Sequence, residues 1–240
     1  MTHWLSFDIE TAKIVPDGED VQNHRPLGIA CWAVAWVSAK SGEIMTRSYT
    51  GTDSQGNITG QLSNDESAAM VHRLRNAVDD GYTIVGHNIV GFDFDILAEE
   101  SGMHAECADL ALHSVDTCLL VHCLKGFPVG LDAIARGMGL SGKIEGMSGA
   151  KAPQLWAEGK FDEVLTYVAQ DARSTLEVAL AIEQRKGLTW ISKSGRRNSL
   201  PIERLLTVFE AMQLPEPDTA WMTEPLPRSR FTGWMERQTA

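Results

Sequence analysis

Trp4-Leu5-Ser6-Phe7-Asp8-Ile9-Glu10-Thr11 is the stretch on which the reading of this chain turns. The run from Trp4 to Ile9 reads as a short apolar strand. Side chains at i and i+2 of a strand leave the same face, so Asp8 and Glu10 project together while Phe7 and Ile9 project oppositely. Two like charges this close repel, and an apolar strand tolerates them where a cation or a third group compensates. Taken alone the pair also has an ordinary reading, a strand end with two solvated acids.

Two further motifs follow. Thr83-Ile84-Val85-Gly86 reads as a buried strand and leads into Asn88-Ile89-Val90-Gly91-Phe92-Asp93, with a helix over 92–100 that places Asp93 in its first turn. A helix N-terminus favours a carboxylate there, and would equally favour a phosphate. In Tyr167-Val168-Ala169-Gln170-Asp171 the Tyr and Asp are four apart, hence on one face of a long amphipathic helix from Phe161 to about Gln184. Singly, Asn88 and Asp93 are ordinary turn and helix-start residues. Tyr167 and Asp171 are equally an ordinary half-buried ring beside a solvated acid.

Jointly the three motifs supply four carboxylates, enough to hold two divalent cations and support phosphodiester cleavage. In order and form they resemble the DnaQ-like, ribonuclease H-like superfamily of DEDD 3′-to-5′ exonucleases. Within it they are similar to the tyrosine-bearing DEDDy branch, and most of all to stand-alone exonucleases related to the proofreading domain of family B DNA polymerases. The histidine-bearing branch places His five residues before the last Asp, where this chain has Thr166. Gly130-Leu131-Asp132-Ala133-Ile134-Ala135, Gly139-Leu140-Ser141-Gly142-Lys143 and Trp156-Ala157-Glu158-Gly159-Lys160 extend the resemblance, which covers about residues 3 to 186.

The resemblance implies catalytic roles for Asp8, Glu10, Asp93, Tyr167 and Asp171. Asp8, Glu10 and Asp171 would hold one Mg²⁺ or Mn²⁺, Asp8 would bridge to a second, and Asp93 would help fix the second ion's hydration. Tyr167 would orient the attacking water; a phenol with an ordinary pKa of about 10 positions water at neutral pH rather than deprotonating it. Asn88 and Phe92 match positions beside the terminal nucleotides, where Asn hydrogen-bonds and an aromatic ring stacks; Phe92 is also readable as core. Lys143, Lys151 and Lys160 precede the last motif, as phosphate contacts or as solvated lysines. Asp116 reads as the N-cap of a helix over 117–124. Cys118, His122 and Cys123 cluster but lack a fourth zinc ligand, and with Cys31 and Cys107 they read as core residues of a reducing compartment.

Composition bounds the function classes. At 240 residues the chain suffices for one well-cored domain plus an appendage. A formal charge of −11 argues against a broad grip on duplex nucleic acid, which requires many Lys and Arg on phosphates. The acidity suggests a short footprint at a strand end, which the resemblance implies is the 3′ end of DNA, single-stranded by preference. No apolar run reaches the roughly 18 residues of a membrane span, and Met1-Thr2-His3-Trp4 leads directly into the first strand without a cleavable leader, so no membrane partner and a cytoplasmic location are expected.

The remaining pattern reads as strands at about 3–9, 28–38 and 43–50, a helix at about 64–80, a short strand near 113–116, and mostly helix to 186. An early meander followed by strand–helix alternation predicts an α/β fold: a ribonuclease H-like mixed sheet flanked by helices. Residues 1–186 form the expected exonuclease domain. Residues 187–240 form an irregular C-terminal extension, with a polar, basic stretch over 192–199 and a helix over 201–212. Pro215, Pro217, Pro225 and Pro227 then break the chain, while Trp190, Trp221, Phe231 and Trp234 predict that the extension folds back on the domain or binds a protein partner. An exoribonuclease, or a non-catalytic nucleic-acid-binding module on the same fold, are the alternative functions.

Overall fold

A computed structural model describes residues 2–142 and 148–237. Its elements run β1 (His3–Thr11), a 3-10 turn (Val21–His24), β2 (Ile29–Val37), β3 (Ile44–Thr50), α1 (Asn64–Asp79), β4 (Tyr82–Gly86), α2 (Asp93–Ser101) and α3 (His104–His113). There follow β5 (Val115–Asp116), α4 (Thr117–Lys125), α5 (Leu131–Met138), α6 (Ala152–Ala157) and α7 (Phe161–Arg185). The chain ends with β6 (Gly187–Ile191), β7 (Arg197–Pro201), α8 (Val208–Met212), α9 (Ser229–Thr232) and a last 3-10 turn (Gly233–Glu236).

The architecture is α/β, with a five-stranded mixed sheet in the order β3-β2-β1-β4-β5 flanked by helices. β1 pairs antiparallel with β2 and parallel with β4, so the strand bearing Asp8 and Glu10 is the centre of the sheet. Its alternation is resolved by a different helix on each face. Phe7 meets Phe94 of α2 edge-on, ring centroids 5.0 Å apart, while the Ser6 hydroxyl on the other face donates to the Ala172 carbonyl of α7 at 2.6 Å. Burying a side chain such as Phe7 or Phe94 contributes roughly 1.5–3 kcal/mol, so the apolar face anchors the strand while the acids occupy the other. After Glu10 the ladder with β2 shifts by one residue, Thr11 facing Ile29, and the Ala12 and Lys13 N–H groups then donate to the Gly28 and Leu27 carbonyls.

Local signals account for several helix ends. Ser63 and Glu66 close a reciprocal capping box on α1. Gly102, Gly126 and Gly139, all at positive φ, end α2, α4 and α5. Two expectations are corrected. The helix expected over 201–212 is confined to Val208–Met212, started by its own Thr207–Glu210 capping box. The polar stretch 192–199 belongs to a hairpin: β6 and β7 pair antiparallel from Gly187↔Pro201 to Ile191↔Arg197. In β6, Leu188 and Trp190 are buried between half-buried neighbours, an alternation that the charged turn obscures. The residues before the short fifth strand also form a helix, α3, which the sequence pattern did not resolve.

The segment after α7 packs on the rest of the chain. Gly137 of α5 lies so close to β6 that a Cβ there would sit 2.3 Å from the Thr189 carbonyl oxygen and 2.4 Å from the Trp190 Cα. Further on, the buried Arg228 guanidinium donates to the carbonyls of Met212, Leu214, Pro215 and Cys123, and Trp234 Nε1 donates to the Val90 carbonyl at 2.6 Å. Trp190, Phe231 and Trp234 are buried, whereas Trp221 is 68% exposed. Among the described residues no helix is long and apolar enough to cross a membrane.

Candidate metal centre

The centre of the sheet and the middle of α7 bring three acids together. One carboxylate oxygen from each of Asp8, Glu10 and Asp171 lies within 4.8 Å of the others. Glu10 and Asp171 are buried and Asp8 is partly exposed. The juxtaposition follows from the face that Ser6 begins: α7 crosses that face, and Ser6 bonds to Ala172, the residue after Asp171. Among the described residues these three are the acids, histidines or cysteines whose ligand atoms converge. Cys118, His122 and Cys123 form no such group, and burial, the leading cause, raises the thiol pKa of both cysteines.

Asp93 stands outside the tight triplet but on the wall of the same cavity. A space of about 350 Å³ is lined by Asp8, Glu10, Asp93, Tyr167 and Asp171, together with Asn88 and Phe92. Asp93 Oδ1 accepts the Ile9 N–H at 3.0 Å, so it grips the strand between Asp8 and Glu10. Burial, reinforced by the charges of Asp116 and Asp171, pushes its carboxyl up to about 8 against the opposing pull of backbone N–H groups.

Tyr167 is buried one turn before Asp171, to which it is hydrogen-bonded. Burial first, then the charges of Asp171 and Glu10, raise its phenol well above the ordinary value, so it stays protonated at neutral pH. Cys31, opposite Glu10 on β2, is likewise held as a thiol by burial and by the neighbouring Glu10 and Asp8. A donor set of carboxylate oxygens with no thiolate fits hard cations such as Mg²⁺ or Mn²⁺.

Asn88 has a backbone reason to be Asn. Its φ of 68° is left-handed, which Asn tolerates better than most side chains. Its N–H donates to Asp116 Oδ1 at 2.9 Å, while the Val90 N–H reaches Asp116 Oδ2 at 3.0 Å. Asp116 also caps α4 through the N–H groups of Cys118 and Leu119, at 2.9 and 3.1 Å. The expected cap is therefore present, joined by a second role that spacing along the chain did not reveal: one buried carboxylate ties the Asn88 loop to α4. Burial raises its pKa despite the four amides it receives.

Of the remaining expected contacts, Phe92 is half-buried at the cavity. Lys160 pairs with Glu158 at 2.9 Å and Lys151 is exposed ahead of α6. Lys143 lies outside the described residues. The structure adds His87 and the loop from Lys13 to Val21 to the cavity wall. Their only signal in the sequence was adjacency to Asn88 and to Glu10.

No protein-family model matches this chain, and no curated protein matches it.

Proposed function

We infer that the protein is a metal-dependent 3′-to-5′ exonuclease acting on single-stranded DNA ends, built on a ribonuclease H-like sheet. The observation that carries this reading is the convergence of Asp8, Glu10 and Asp171 within 4.8 Å, on a cavity that Asp93 and Tyr167 also line. The strand order β3-β2-β1-β4-β5, with the acids on the central strand, is compatible with that fold.

In this reading Asp8, Glu10 and Asp171, with Asp93 on the wall of the same cavity, would hold the divalent cations. Such cations would lower the pKa of water and offset charge on both the attacking and the leaving oxygen. Water adds to the phosphorus of the last phosphodiester, the P–O3′ bond breaks, and a 5′-mononucleotide leaves a strand with a new 3′-hydroxyl. Tyr167, kept protonated by its surroundings, acts as a fixed hydrogen-bond partner rather than a base. Asp93 keeps the strand between Asp8 and Glu10 in place through Ile9. Asn88 and Phe92 lie on the wall where the terminal nucleotide enters.

The test uses matched 5′-labelled and 3′-labelled DNA and RNA oligonucleotides with Mg²⁺, Mn²⁺ or EDTA. Wild type shortens DNA stepwise from the 3′ end, needs the metal, and loses activity in Asp8→Ala and Asp171→Ala. Release of internal fragments, or equal cutting by the variants, refutes the reading. Preferential shortening of RNA reassigns the substrate.

A further inference from the structure

A second, larger cavity of about 1010 Å³ continues from the acid centre, sharing Asp8, Asn88, Phe92 and Asp171 with the first. Its volume lies at the top of the roughly 300–1,000 Å³ that enclose a drug-sized ligand, room for more than a single terminal nucleotide. One wall is the turn into α5, with Val129, Gly130 and Leu131; the other is C-terminal, with Leu226, Ser229, Arg230, Phe231, Trp234 and Arg237.

That C-terminal wall is built into the fold. A Cβ on Gly91 would lie 3.1 Å from Phe231 Cδ1, so the motif that carries Asn88 and Asp93 leaves room for the α9 ring. Trp234 Nε1 donates to Val90 and its carbonyl meets His104 Nε2 at 2.8 Å, fixing the last turn against the same motif. Arg237 pairs with Asp95, which also receives Arg25 at 2.5 Å. A guanidinium carries five donors, so this pairing leaves Arg237 further N–H groups. Arg230 meets Asp20 only at 3.6 Å, and more than half of each Arg side chain is exposed. The groove thus runs from carboxylates that suit cations to guanidinium groups that suit phosphates.

We propose that the segment from Leu226 to Arg237 is the far wall of the substrate groove and that Arg230 and Arg237 contact phosphates of a single DNA strand upstream of the scissile bond. This rests on the exonuclease reading and assigns the C-terminal extension a part in it. A dinucleotide reaches only the acid centre, whereas a hexanucleotide spans the groove.

The test is the affinity of 5′-fluorescein dithymidylate and hexathymidylate by anisotropy in Ca²⁺, with kcat and KM for both in Mn²⁺. Arg230→Ala and Arg237→Ala each weaken hexanucleotide binding roughly ten-fold, the scale of one hydrogen bond to a charged group. They leave dinucleotide binding and kcat nearly unchanged, and each lowers the slope of log K against log salt by about 0.7, the single-strand value per phosphate. Arg230→Lys restores part of the affinity. Unchanged hexanucleotide affinity in both variants overturns the proposal, as does equal loss for the two lengths, which marks a merely structural tail. Those failures leave the acid centre standing. A wild type that shortens no 3′ end overturns the exonuclease reading and this inference with it.

Discussion

Asp93 Oδ1 accepts the N–H of Ile9 at 3.0 Å, so the acid of the second motif grips the strand midway between the two acids of the first. This bond, rather than direct convergence, couples Asp93 to the triplet. Asp93→Asn keeps an acceptor for Ile9 and removes only the charge. Activity falls about 10–100-fold, the range for groups that support metal ligands, while the fold persists; a rate equal to wild type removes Asp93 from the chemistry.

The same residue sets a pH signature. Its carboxyl is raised from 3.8 to about 8 in the metal-free protein, so between these values the folded chain holds a proton that the unfolded chain has released. Stability conferred by this group is full below the lower value and is lost as pH rises through the window. In EDTA, the melting midpoint of wild type therefore declines from pH 5 to pH 8 more steeply than that of Asp93→Asn. Each kcal/mol moves the midpoint of a chain this size by about 2–4 °C. Parallel profiles for the two proteins refute the assignment, and added Mn²⁺ reduces the decline by favouring the ionised acids.

The strands of the sheet and the pairing of residues within each motif were legible from local periodicity, whereas the meeting of Asp8 and Glu10 with Asp171 was expected only from the family resemblance, which also implied Asp93 in the same cluster. Asp8 and Glu10 share a face by the two-residue repeat of a strand, and Tyr167 and Asp171 share one by the four-residue spacing of a helix. The double duty of Asp116 was not legible, since its partners Asn88 and Val90 lie 28 and 26 residues away and nothing in the spacing announces them. The hairpin of β6 and β7 was hidden for a different reason. Only Leu188 and Trp190 face inward on β6, and the polar turn between the strands outweighs two buried residues in any composition window. The wall at Trp234 and Arg237 is a tertiary meeting with residues 144 and 142 positions away, Val90 and Asp95, and Arg230 meets Asp20 from further still.

Asp116 joins two elements with one carboxylate. Its Oδ1 takes the N–H groups of Asn88, Cys118 and Leu119 and its Oδ2 takes that of Val90. Asp116→Asn turns one oxygen into an NH₂ that faces a buried donor. The loss is about 1–3 kcal/mol for each N–H left unsatisfied, read as a lower urea midpoint, and activity falls with it because Asn88 rides on that loop and Asp93 opens the helix it leads into. Unaltered stability would show that water satisfies those amides.

Gly137 tests whether the hairpin is separable from the acid centre. A side chain there meets backbone rather than flexible atoms, the Thr189 carbonyl oxygen at 2.3 Å and the Trp190 Cα at 2.4 Å. Gly137→Val forces β6 away from α5 at a cost of about 1–3 kcal/mol or more. Activity on a dinucleotide in Mn²⁺ stays near wild type at temperatures where the variant is folded, since none of the four acids lies on these elements. Loss of dinucleotide activity without loss of stability would instead connect the hairpin to the site.

Tyr167 separates positioning from proton transfer. Its phenol is hydrogen-bonded to Asp171 and held protonated by burial first and then by the charges of Asp171 and Glu10. Tyr167→Phe removes that hydroxyl and no carboxylate, so kcat falls roughly 10–100-fold, the equivalent of one hydrogen bond to a charged group, with little change in oligonucleotide affinity. Because the phenol does not ionise in the working range, the kcat profiles of wild type and variant run parallel from pH 7 to pH 10. An alkaline limb present in wild type and absent from Tyr167→Phe would make Tyr167 a base. Loss of binding in place of turnover would make it a substrate contact.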